Sequence, residues 1–189
     1  MSEQKKLVIT GMLIALCVVL PLAFHQVPRA GSILLPMHIP VLLAGLVCGW
    51  KFGLITGITG PLLSHAMTGM PPSMAIASLM SIELGVYGLV AGVLAYFVRT
   101  KSASLDLYIC LIGAMLVGRI VAGIAQVLFF FSPTAENATY TFALWTGSYF
   151  VTSLPGIVIQ LAFIPSVVMA LERERVIPLR YPIKASEPA

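Results

Sequence analysis

Met74-Ala-Ile-Ala-Ser-Leu-Met-Ser-Ile-Glu83-Leu-Gly-Val-Tyr87-Gly-Leu-Val-Ala-Gly-Val-Leu-Ala-Tyr-Phe-Val98 decides the fold class. Apart from Glu83 the run carries no charge. A helix rising 1.5 Å per residue over this length reaches ~37 Å, enough to cross roughly 30 Å of hydrocarbon. A soluble helix of this length would carry a polar face, and none is present.

Five more apolar segments surround it: Leu7 to Phe24, Ile33 to Trp50, Phe52 to Met67, Leu105 to Phe131 and Phe142 to Leu171. The whole chain of 189 residues is 59% hydrophobic and 10% charged, against about 25% charged residues in soluble domains. Its mean hydropathy is +1.00. These values predict an all-α integral membrane protein, a bundle of six transmembrane helices over residues 1–171 followed by a charged cytoplasmic tail, 172–189. The second segment contains Pro36 and Pro40 and is expected to start irregularly. The third is short and crowded by Gly53, Gly57, Gly60 and Pro61. Irregular backbone at membrane depth survives only against protein or a wet cavity, so these two segments are the first place to look for one. The basic, apolar N-terminus could be a signal peptide, but His25-Gln-Val-Pro-Arg-Ala-Gly lacks a small-x-small cleavage pattern. A retained first helix is expected.

The net charge of +4 does not point to nucleic acid. Nine of the eleven basic residues (Lys5, Lys6, Lys51, Arg99, Lys101, Arg173, Arg175, Arg180 and Lys184) lie at the start, in two of the breaks and after the last segment. The alternate breaks contain Arg29 alone. Cytoplasmic loops are enriched in Lys and Arg, so both termini are expected in the cytoplasm of a bacterial cell, with the loops at Arg29, Gly69 and 132–141 facing outward. The first two are rich in Pro and Gly, and the third is longer and more polar. Cys17, Cys48 and Cys110 fall in apolar stretches without metal-ligand spacing and read as free, buried thiols.

Two ionisable residues lie deep inside the apolar segments. Glu83 sits ~14 Å and Arg119 ~18 Å below the outer ends of their helices. A charge there costs at least roughly 2.5–3.5 kcal/mol, so it needs a partner or a cavity. Either the two form a structural ion pair or one or both contact a ligand. Met80, Glu83 and Tyr87 share one helix face, and Arg119, Gly123 and Gln126 share another. Trp145, Tyr149 and Thr152 repeat the spacing near the outer end of the last segment, where aromatics are either interface anchors or ligand walls. His25, His38 and His65 all fall near the outer half of the membrane, but no two have helical metal spacing and no HExxH occurs. No metal or cofactor is expected. No GxSxG, catalytic carboxylate pair or phosphate loop is present, so the chain cannot drive transport with ATP by itself. Small residues four apart recur at Gly11 and Ala15, Gly53 and Gly57, and Gly88 and Gly92. Such faces let helices approach closely in lipid, within one chain or between chains.

The segment pattern, the small-residue face on the first helix, Leu35-Pro-Met-His-Ile-Pro-Val-Leu-Leu-Ala-Gly45, Gly49-Trp-Lys-Phe-Gly53, Gly69-Met-Pro-Pro72 and Glu83-Leu-Gly-Val-Tyr-Gly88 together resemble the substrate-binding S component of energy-coupling factor (ECF) vitamin transporters. The resemblance runs from about Leu7 to Leu171 and is strongest to the pantothenate, folate and pyridoxine-type branch. It implies capture of a small vitamin or precursor (pantothenate, pyridoxine or hydroxymethylpyrimidine class) in the outer half of the bundle. It also implies association with a coupling transmembrane subunit and two cytoplasmic ATPases. Glu83, Tyr87, Arg119, Gln126, His38, Trp145 and Tyr149 are the substrate-binding candidates, and Arg29 and Gly69 mark gating loops. Gly11 and Ala15 mark the coupling-subunit contact, with Gly11 where the family's pattern has alanine. An integral-membrane enzyme is disfavoured, because the ionisable groups form no nucleophile–base constellation. A stand-alone carrier is disfavoured by the lack of a clear internal repeat.

Overall fold

The structure is a computed structural model that describes residues 1–24, 30–100, 102–130 and 145–177. Every regular element among them is helical: α1 (Glu3–Ala23), α2 (Ala30–Leu34), α3 (His38–Cys48), α4 (Trp50–Thr68), α5 (Met74–Phe97), α6 (Ala103–Phe130), a π-helical turn (Gly147–Thr152) and α7 (Leu154–Arg173). Four of these, α1, α5, α6 over Ala103–Leu128, and α7, are long and apolar enough to cross a membrane.

Local sequence sets the helix ends. Ser2 and Ser73 cap α1 and α5, their hydroxyls accepting from the amides of Lys5 and Ile76. Gly69, at φ 70°, ends α4 in the left-handed region, where a side chain is strained. Gly49, at φ 101°, is the single residue between α3 and α4 and allows the chain to reverse there.

Close contacts give the direction of each helix. A Cβ added to Gly53 would fall 2.4 Å from the Gly88 carbonyl oxygen, one on Gly57 would meet the backbone of Leu84, and one on Gly92 would meet Trp50. These pairs run in opposite senses, so α4 and α5 are antiparallel with their backbones nearly touching. Tyr87 against Gly118 and Leu94 against Gly113 make α5 and α6 antiparallel. Arg119 against Ser153 and Ser104 against Met169 do the same for α6 and α7. Lys6 lies 6.0 Å from the Phe52 ring and Cys17 packs beside Gly60, so α1 runs parallel to α4. The Lys5 ammonium donates to the Val176 carbonyl at 2.8 Å, closing the end of α7 onto the start of α1. The start of α1, the α3–α4 turn, the end of α5 and the end of α7 therefore share one end of the bundle. That end carries Lys5, Lys6, Lys51, Arg99 and Arg173.

The six helices expected from the sequence become seven α-helices and a π-turn among the described residues. The second segment divides at Leu35-Pro36-Met37, with Leu35 at φ 51°. A proline cannot supply the amide that a continuous helix needs there. The carbonyls of Ile33, Leu34 and Leu35 turn toward α7, where Gly156 leaves room for the first two and the Gln160 amide reaches the third at 3.5 Å, alongside the His38 amide at 3.1 Å. The third segment stays helical as α4 despite its glycines and Pro61, because those glycines are its packing surface. The core is formed by α3, α5, α6 and α7 around Val41, Leu42, Leu84, Tyr87, Leu111 and Ile164. Cys17, Cys48 and Cys110 are all buried.

Candidate functional site

Arg119 is the centre of the polar cluster. It is 3% exposed and its guanidinium is fixed from two sides. Nε donates to the Tyr87 hydroxyl at 2.9 Å, and Nη2 donates to Ser153 Oγ at 3.1 Å. The guanidinium carbon also lies 5.2 Å from the centre of the Phe150 ring, within reach of a cation–π contact. Among the described residues no carboxylate lies within ion-pair distance of it. Of its five N–H donors, two are thus engaged by described residues.

Small residues make this geometry accessible. A Cβ on Gly118 would fall 2.8 Å from the Tyr87 ring, and one on Gly123 would fall 2.5 Å from Trp145 Nε1. The bare faces of α6 on either side of Arg119 therefore admit Tyr87 from α5 and Trp145 from the following segment. The Trp145 indole N–H donates to the Arg119 carbonyl at 3.3 Å. Its ring lies 5.4 Å edge-on from Phe150 and 6.4 Å from Tyr149.

The second polar pair lies on the other side of Tyr87. His38, in the first turn of α3, packs its ring edge-on to Tyr87 at 5.1 Å. Its Nε2 is 3.7 Å from Glu83 Oε1, near enough for charge attraction and too far for a hydrogen bond. Both ring nitrogens of His38 are buried without a hydrogen-bond partner among the described residues. The break at Leu35–Met37 aims His38 inward, since Pro36, Met37 and His38 itself are all buried.

The sequence candidates thus divide. Glu83, Tyr87, Arg119 and His38 gather as one cluster, with Trp145 and Tyr149 at its edge. Glu83 and Arg119 are not paired to each other; His38 stands beside Glu83 and Tyr87 beside Arg119. Gln126 is half-buried, its Oε1 without a partner among the described residues, about two turns from Arg119 along α6. Gly69 is the exposed C-cap of α4, while Arg29 lies outside the described residues. Gly11 and Ala15 are exposed on α1, and a Cβ on Gly11 would meet nothing within 4 Å. Internal packing therefore does not explain that pair, whereas it does explain Gly53, Gly57, Gly88 and Gly92.

Ser153, Phe150 and Gln160 were missed. Helical spacing from Tyr149 reaches Thr152 at i+3 and Ser153 at i+4 alike, and Thr152 is the one expected from the sequence, whereas the wider coil of the π-turn turns Ser153 inward. Thr152 is exposed and bonds the Gly147 carbonyl five residues back, and buried Ser153 faces Arg119 instead. No periodicity signals such a shift.

Neither the curated proteins nor the solved structures contain a match to this chain. Residues 5–168 match the family described as the ECF transporter, substrate-specific component, which covers nearly every element described above. The chain belongs to the substrate-specific components of ECF transporters.

Proposed function

We propose that this S component captures a small water-soluble vitamin or precursor bearing a carboxylate, the pantothenate class being the best fit. The observation that carries the reading is Arg119, a buried guanidinium with no carboxylate partner among the described residues. An unneutralised buried cation at membrane depth is costly and marks a ligand or transport site. Tyr87 and Ser153 hold Nε and one Nη2 proton, which leaves the Nη1 edge and the second Nη2 proton. That edge is the one that grips a carboxylate with two parallel hydrogen bonds. Had Glu83 paired with Arg119, a neutral ring compound such as pyridoxine would fit better.

Six crossings are the topology we favour, with α2 and α3 together forming one pass and the π-turn with α7 another. The clustering of basic residues at one end of the bundle supports a cytoplasmic location for that end and both termini in a bacterial plasma membrane. The cluster then lies toward the outer face, on the side of the Gly69 turn, which would close over the ligand. Lacking an ATPase of its own, the protein would work with a coupling transmembrane subunit and two cytoplasmic ATPases. The open face of Gly11 and Ala15, flanked by exposed Leu7, Val8, Met12 and Val19, suits the coupling contact. The test is mass spectrometry of small molecules released from purified protein: a carboxylate is expected, and a stoichiometric compound without an acidic group overturns the reading.

A further inference from the structure

We infer that His38 and Glu83 form a second pole of the same site, one that recognises a hydroxyl, amide or amine group on the carboxylate ligand. This inference rests on the reading of Arg119 given above and adds a requirement on the ligand's other end.

Three observations lead to it. The His38 side chain is 4% exposed, and both its ring nitrogens lack a hydrogen-bond partner among the described residues. Burying such groups unpaired is costly, and native proteins rarely leave them so. Glu83 Oε1, which faces His38, stands at 3.7 Å, beyond hydrogen-bond reach. A bridging oxygen or nitrogen ~2.8 Å from both would sit about 2 Å off the line joining them, and the buried ring and carboxylate part slightly to admit it. A ligand hydroxyl there accepts from a His38 N–H and donates to the Glu83 carboxylate. An amide N–H donates to Glu83, and an amine, with a further proton, donates also to His38 when the facing nitrogen is unprotonated. Third, His38 opens α3 directly after the broken backbone at Leu35–Met37. Such backbone at membrane depth is tolerated where it faces protein or a polar cavity.

Tyr87 sets the relation between the poles. Its ring packs against His38 at 5.1 Å while its hydroxyl accepts from Arg119 Nε. An anionic group on Arg119 and a donor group at His38 and Glu83 would therefore lie on either side of one tyrosine. A simple carboxylate satisfies only one pole. A neutral polyol satisfies only the other. Discrimination arises because a ligand lacking the donor leaves buried polar groups unpaired.

The experiment presents purified, detergent-solubilised protein with an equimolar mixture of pantothenate, biotin, lipoate, nicotinate and pyridoxine, and reads retention by native mass spectrometry. Pantothenate and biotin carry both a carboxylate and hydroxyl or N–H donors, lipoate and nicotinate carry a carboxylate without such a donor, and pyridoxine carries hydroxyls without a carboxylate. Retention confined to pantothenate or biotin is expected, with Glu83→Gln weakening that compound at least ~10-fold. Should Glu83→Gln fail to fold, His38→Ala carries the same expectation. Equal retention of lipoate or nicotinate overturns the second pole and leaves Arg119 standing. Retention of pyridoxine alone overturns the Arg119 reading itself, and retention of none overturns both.

Discussion

Replacing Arg119 with alanine removes three interactions at once: the 2.9 Å bond to Tyr87, the 3.1 Å bond to Ser153 and the stacking on Phe150 at 5.2 Å. The effect on folding is expected to be small, because two terms oppose each other. Tyr87 loses its described hydrogen-bond partner, a loss of about 1–3 kcal/mol. Ser153 keeps the Tyr149 carbonyl as its acceptor and loses little. Against this, an uncompensated cation at membrane depth costs roughly 2.5–3.5 kcal/mol, and the substitution relieves it. Binding has no such compensation. Truncating one partner of a buried, hydrogen-bonded charged contact typically costs about 2–5 kcal/mol, or roughly 30- to several-thousand-fold in affinity. Arg119→Lys separates charge from geometry: a lysine ammonium is a point charge that cannot hold Tyr87 and Ser153 while presenting a flat two-proton edge. It should retain part of the charge attraction and still lose at least ~10-fold. The assay is isothermal titration, in nanodiscs, of the compound that the parent protein carries, with thermal unfolding as the folding control. A folded Arg119→Ala protein that binds within a few-fold of the parent refutes the assignment and makes Arg119 a structural residue.

Gly88→Ala should destabilise the bundle by at least about 1–3 kcal/mol, because the new methyl meets the Gly53 backbone at 2.2 Å. The control Gly11→Ala, with open space around it, should leave the melting temperature of the isolated protein near the parent's, and equal melting of both variants would contradict the packing account. Gly123→Ala should displace Trp145, visible as a shift in tryptophan emission and weaker ligand binding, whereas an unchanged spectrum would mean the indole is not seated there. Gly11→Leu with Ala15→Leu should abolish uptake in cells while leaving binding by the isolated protein intact; loss of both together would place this face inside the fold. Cysteines introduced at exposed Pro72 and Ser102, in a background lacking Cys17, Cys48 and Cys110, should react with impermeant reagents from opposite sides of the membrane. Labelling of both from one side would defeat the alternating passes.

Much of the candidate site was legible in the sequence, because lipid makes isolated charges conspicuous. Glu83 and Arg119 stand out for being the ionisable residues deep within otherwise apolar runs, and Tyr87 follows Glu83 by one helical turn. His38 was less visible, since nothing in its spacing says whether it faces a partner, a cavity or lipid. Pro36 and Pro40 announced that the backbone around it would be irregular, and the structure breaks the helix there.

Composition and hydrophobic run length by themselves determine the class of this protein, because the energetic demand of an apolar slab acts on each segment independently of its neighbours. The ends of the helices were also local matters, decided by Ser2, Ser73, Gly49 and Gly69 through caps and backbone freedom. Which small residues pack inside and which face outward is not local: Gly11 and Gly88 look alike in sequence, yet one meets open space and the other a neighbouring backbone. The partner of Arg119 was likewise settled only by tertiary structure. The π-turn rotates α7 so that Ser153, rather than Thr152, faces inward, and the break before α3 sets His38, rather than Arg119, beside Glu83. Both outcomes depend on one inserted residue and one interrupted turn, whose effects appear only when the helices are assembled against one another.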